Sequence, residues 1–123
     1  MQVAHGWEMD VERGPGWLFV RPRGLPDDAD QTALAETIWT LLEQNLSRRL
    51  VLELDRVGAL RSALVGQLVW LHKRIHAGGG LMRVTGLSAA SHDTLRLCRL
   101  DGRFPKFANR EEAVLGSRPM QPR

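Results

Sequence analysis

Few residues in this 123-residue chain stand where their side chains could do chemistry, and the foremost is Ser62. It separates the short apolar run Leu50-Val51-Leu52-Glu53-Leu54 from an apolar series of helical spacing: Leu64, Val65, Leu68, Val69, Leu71, His72 and Ile75. The run has the length and β-branching of a buried strand, and the series falls on one broad helical face. A serine at that junction is a favoured N-cap, its hydroxyl accepting from a free N–H for about 1 kcal/mol of helix stability. The same hydroxyl sits beside a partly positive helix end, where a phosphate or another anion is favoured. No Gly-x-Ser-x-Gly elbow surrounds it to mark an acyl-transfer nucleophile.

The other candidates carry less. His72 and His76 lie four apart on one helix, a spacing that can bind metal, but no acidic or thiol partner nearby completes a set. His72 also falls near the apolar face. Asp27, Asp28 and Asp30 precede a second apolar period at Leu34, Ile38, Leu41, Leu42 and Leu46, where acids serve capping and the helix dipole. Cys98 stands alone within Leu95-x-Leu97-Cys98-x-Leu100 and is expected to be a small buried hydrophobe. Gly78-Gly79-Gly80 follows a helix where a phosphate loop would lead into one, so these glycines serve as a C-cap and turn. Trp70 falls away from the apolar stripe, with Ala63, Gly66, Gln67 and Arg74, and an exposed tryptophan is an interface anchor. These residues call for no catalytic centre, metal or cofactor.

Composition narrows the class further. Charge and apolar content are ordinary for one folded domain, expected over 1–116 with a frayed, proline-containing tail at 117–123. The formal net charge of +3 comes from scattered arginines and lysines without a long basic run, so no direct nucleic-acid contact is expected. No apolar run approaches the ~20 residues of a membrane span, and the first residues lack a signal-peptide layout. A cytoplasmic protein with no membrane insertion is expected.

The elements that must position Ser62 follow from patterning. Trp7 to Glu12 alternates apolar and charged residues, Arg13-Gly14-Pro15-Gly16 turns, and Trp17 to Val20 returns, which predicts an antiparallel hairpin. A helix from about Leu34, the central strand–serine–helix unit, and a strand at Leu81 to Thr85 come next. Ser88 and Asn109 are set to cap two further helices, with a brief strand at Phe107 between them. The expected architecture is α/β: a small mixed sheet of four or five strands with about four helices, packed mainly on one face.

Several of these segments together resemble the STAS domain family: Val51 to Leu54, the turn at Ser62, LVWLHKR from Leu68 to Arg74, the glycines 78 to 80, MRVTGL from Met82 to Leu87, and Leu100-Asp101-Gly102-Arg103-Phe104. The resemblance runs from about Trp7 to Leu115. It implies a non-enzymatic switch of the anti-sigma factor antagonist type, whose partner is an anti-sigma factor that is also a serine kinase. Ser62 matches the serine which that kinase phosphorylates, and Asp27 matches the acidic position after the family's second strand. The family's usual Asp-Ser-(Ser/Thr)-Gly is here Arg61-Ser62-Ala63-Leu64. That departure admits an alternative, a phosphorylation-independent accessory subunit of a lipid-transport ABC complex. The expected partner-binding residues are Asp27, Arg61, Ser62, Gln67 and Trp70; a homodimer is left open.

Overall fold

The structure is a computed structural model that describes residues 2–4, 6–24 and 32–116, with only the backbone for the first of these segments. In chain order the elements are β1 (Gln2–Ala4), β2 (Trp7–Gly14), β3 (Trp17–Gly24), α1 (Leu34–Gln44), β4 (Arg49–Glu53), α2 (Ser62–Ala77), β5 (Leu81–Thr85), α3 (Ala89–Leu97) and α4 (Arg110–Leu115). The five strands lie in one sheet in the order β1-β2-β3-β4-β5, antiparallel from β1 to β3 and parallel from β3 to β5. The mixed α/β architecture expected from the sequence is therefore present, with β1 as an edge strand that patterning does not disclose. Helices α1 and α2 are the crossovers that parallel pairing demands.

The two-residue alternation of the strands builds two apolar faces. Leu18 and Val20 of β3, Leu50 and Leu52 of β4, and Met82 and Val84 of β5 meet the buried stripes of α1 and α2 and Leu95 of α3. The opposite face holds Trp17, Phe19 and Val51, closed by Phe107 and by Ala113 of α4. Phe107 makes only an isolated parallel bridge to Thr85, the brief strand expected there. On this second face Glu53, buried, accepts from Arg110 at 2.7 and 3.3 Å, and Arg110 also pairs with Glu12 and lies 4.3 Å over the Phe19 ring. The hydrogen bonds to both carboxylates hold the Arg110 guanidinium pKa above its ordinary value. A buried acid tied down this way binds α4 to the sheet, since losing one partner would strand a charge.

The helix ends correct three expectations. The acidic residues 27, 28 and 30 lie outside the described residues, and the N-cap of α1 is Ala33, whose side chain caps nothing. Gln67 of α2 supplies the missing acceptor: its Oε1 takes the Ala35 N–H at 2.9 Å. Leu46, expected on the apolar period, is 92% exposed. It occupies the left-handed position after α1 (φ 52), in a closure where Leu46 N–H donates to Glu43 and Ser47 N–H donates to Leu42. Helix α2 closes in the same way with Gly79 there (φ 81), the residue that fits the position without strain. Cys98, expected to be buried, is exposed at the C-cap of α3. The apolar spacing around it is shared by a helix end that turns outward.

His72 is half-buried, as its place near the apolar face implies. Its ring stacks on His76 at 4.0 Å between centroids and meets Phe104 edge-on at 5.1 Å. Nδ1 of His72 is buried with no hydrogen-bond partner. Desolvation, followed by the charges of His76 and Arg103, lowers its pKa to about 4. Among the described residues no group of three or more His, Cys, Asp or Glu is placed to hold a metal ion.

Two outcomes follow. Leu46→Gly relieves the left-handed leucine without removing packing, so it raises unfolding stability by about 1 kcal/mol in denaturant titration. With the folded-state pKa of His72 at about 4 and an unfolded value near 6.5, the unfolded chain binds more protons between those limits. The stability held by neutral His72 is thus complete above pH 6.5 and lost as the pH falls toward 4. His72→Gln flattens that part of the stability profile, read by thermal unfolding across the window.

Candidate functional site

The carboxyl end of β4 leads through residues 54–61 to the start of α2, and three neighbours hold this loop. Leu54 N–H donates to the Thr85 carbonyl at 2.9 Å, which carries the sheet pairing one residue past the strand. Gly86 has φ +75, and a Cβ there would meet Asp55 N at 2.7 Å and Asp55 Cβ at 2.8 Å, so the β5–α3 turn lies directly on the loop backbone. Leu60, buried, donates its N–H to the buried Ser91 hydroxyl at 3.4 Å, while Ser91 hydrogen-bonds to the α3 cap Ser88. Ion pairs tie the loop to the hairpin: Arg21 to Asp55 at 3.1 Å and Arg56 to Asp10 at 3.3 Å. Arg23 clasps Glu8 beside them with contacts of 2.5 and 2.6 Å. These pairs are solvent-accessible, so each contributes little to stability, yet together they limit where the loop can stand.

Ser62 is the first residue of α2, not its N-cap. The cap is Arg61, in extended conformation (φ −100, ψ 166), and no side chain caps this helix. The serine hydroxyl is exposed and has no intramolecular partner among the described residues. One residue of register makes the difference, because the cap position needs a non-helical backbone that Arg61 has adopted. Helix α2 carries no acidic residue from Ser62 to Ala77, while Lys73 and Arg74 are exposed along it. The first turn thus offers free N–H groups and a favourable dipole with no local anion to oppose a phosphate.

The outward face of α2 continues from Ser62 through Ala63 and Gly66 to Trp70. Nothing lies within 4 Å of the position a Gly66 Cβ would take. A mid-helix glycine costs roughly 0.5–1 kcal/mol relative to alanine, and here it leaves the surface open. Trp70 is 37% exposed, and the Arg74 guanidinium lies 5.2 Å from its ring and 4.7 Å from that of Trp39 on α1. Nothing in the sequence marks Trp39, because its position on α1 gives no hint that Arg74 reaches across to it. Arg61 is exposed beside Ser62. Gln67 is half-buried and spends its carbonyl on α1, so it acts on the surface through helix placement. Asp27 lies outside the described residues.

With this geometry in place, the comparisons are specific. The STAS domain family model matches residues 8–113, and the chain belongs to that family. No curated protein matches the sequence significantly. An anti-sigma factor antagonist from Mycobacterium paratuberculosis is 22% identical, with a TM-score of 0.73 over 97% of this chain and 100% of that one. The Bacillus cell fate determinant SpoIIAA, in its phosphorylated form, is 18% identical with a TM-score of 0.65, covering 90% and 100% of the two chains. RsbS from Moorella thermoacetica, bearing a serine-to-glutamate substitution, is 15% identical with a TM-score of 0.72, covering 88% and 92%. At these identities the structural likeness establishes the shared fold.

Gly86→Ala tests the support of the loop. It forces a left-handed alanine against the Asp55 backbone, so unfolding stability drops by about 1–3 kcal/mol. The loop amides of residues 55–60 lose hydrogen-exchange protection with it.

Proposed function

We propose that this chain is a non-enzymatic STAS module of the anti-sigma factor antagonist type. Its partner is a kinase-type anti-sigma factor, and the contact surface is the outer face of α2 from Arg61 through Trp70, with Asp27 contributing from the segment before α1. The observation that carries this reading is the exposed, unengaged Ser62 hydroxyl at the first position of an acid-free helix. The similar proteins, which include an anti-sigma factor antagonist and a phosphorylated SpoIIAA, support it. Phosphorylation would add about −1.5 to −2 charges at a helix start able to accept them without refolding. The added charge and bulk lie within the contact surface, which blocks the partner while the fold stays intact. The setting of this exchange is the cytoplasm.

A second reading rests on one observation, Arg61 in place of the acid that precedes the serine in the family pattern. A kinase that expects an acid there would not modify Ser62, and the same surface would serve phosphorylation-independent docking, as in an accessory subunit of a lipid-transport ABC complex.

The two readings separate in a binding titration with a kinase-type anti-sigma factor. Ser62→Ala keeps wild-type affinity within a few-fold, and Ser62→Asp weakens binding at least tenfold. Equal affinity for Ser62→Asp and wild type sinks the switch and leaves phosphorylation-independent docking.

A further inference from the structure

At the amino-terminal end of the parallel strands, opposite the Ser62 loop, three arginines line one open cavity of about 340 Å³. Arg13 comes from the end of β2, Arg48 from the α1–β4 connection and Arg49 from the first position of β4; Gly14, Gly16 and Trp17 form the other wall. No acid among the described residues lines this cavity. Among the described residues none of the three guanidinium groups makes an ion pair, although five other arginines do. Like charges gathered without a counter-charge oppose folding, so such a cluster is best explained by an anion that joins it.

The surroundings hold these arginines in place. Pro15 and Gly16, with φ +76 at the glycine, form the two-residue turn that sets Arg13 next to the start of β3. The Arg49 guanidinium lies 5.9 Å over Trp17, whose ring is buried and also faces Arg83 at 5.7 Å. The Ser47 hydroxyl donates to the Arg49 carbonyl at 3.1 Å, fixing the connection between the two loop arginines. Leu46 lines the same cavity. It is the left-handed leucine, 92% exposed. A smaller apolar cavity of about 200 Å³, lined by Trp39, Leu42 and Ile75, shares Ser47 and Arg48 with this one.

We propose that Arg13, Arg48 and Arg49 form a binding site for a phosphate group. Guanidinium forks match phosphate oxygens in pairs, so arginines lining one cavity give directional recognition where lysines would give only charge. The site does not depend on Ser62: β4 alone separates the two ends of the sheet by roughly 15 Å. The phosphate arrives either on a small soluble molecule or on a lipid headgroup, with Leu46 then entering the acyl boundary.

The test runs the full chain against two probes at 0.1 M salt. In calorimetric titration with inorganic pyrophosphate, one saturable site is expected, with each of Arg13→Ala, Arg48→Ala and Arg49→Ala weakening it about tenfold. Lys106→Ala, an exposed cation elsewhere, leaves binding unchanged. In co-sedimentation with phosphatidylglycerol vesicles, binding that is lost in the arginine variants and in Leu46→Asp assigns the phosphate to lipid. Binding to neither probe, or binding that the arginine substitutions change no more than Lys106→Ala does, overturns the site. Thermal unfolding of each variant separates lost binding from lost fold.

Discussion

From Leu50 to Leu54 the chain has no exposed side chain, and the remaining architecture answers to that constraint. A strand buried on both faces needs a layer on each, and its amide groups need partners on both edges. Helices α1 and α2 cover Leu50 and Leu52, while α4 and Phe107 close over Val51 on the other side. Strands β3 and β5 supply the edges in parallel register. The polar member of the run, Glu53, is tolerated only because Arg110 meets it with two hydrogen bonds. That ion pair attaches α4, a helix of one and a half turns, which is too short to hold itself.

Parallel pairing also decides where function can reside. All three parallel strands end on the same side, so the loop that leaves β4 is exposed there together with the turn that leaves β5. Gly86 and Ser91 then press that loop into one shape, and α2 starts from a defined point with its hydroxyl outward. A binding surface on a regular helix is better defined than one on a loop, and here the helix is itself anchored at both ends. Gln67 couples it to α1, and Arg74 joins Trp70 to Trp39 across the same pair of helices. A change in α1 is therefore felt on the surface that α2 presents. The opposite end of the sheet has a different character, with arginines that no acid among the described residues neutralises.

Much was legible in the residues themselves. Alternation in the hairpin, the apolar run of β4, the helical spacing after Ser62, and the caps Ser88 and Asn109 each follow from short-range chemistry, and each appears in the structure. The errors fall where local pattern competes with chain geometry. Leu46 and Cys98 continue an apolar period in number but lie past the turn at which their helices end, and so face solvent. Ser62 has the composition of a cap, yet the helix begins one residue earlier in register than capping chemistry suggests.

The sequence by itself determined the fold class, the family, and the one hydroxyl that the candidate surface is built around, because periodicity, turn residues and a motif are all properties of near neighbours. Tertiary structure alone decided that Gln67 caps another helix, that Arg74 lies between two tryptophans, and that Arg13 meets Arg48 and Arg49 across a cavity. Each of these joins segments far apart in the chain. The reach of a side chain over such a separation is set by packing and strand order, which no local spacing encodes.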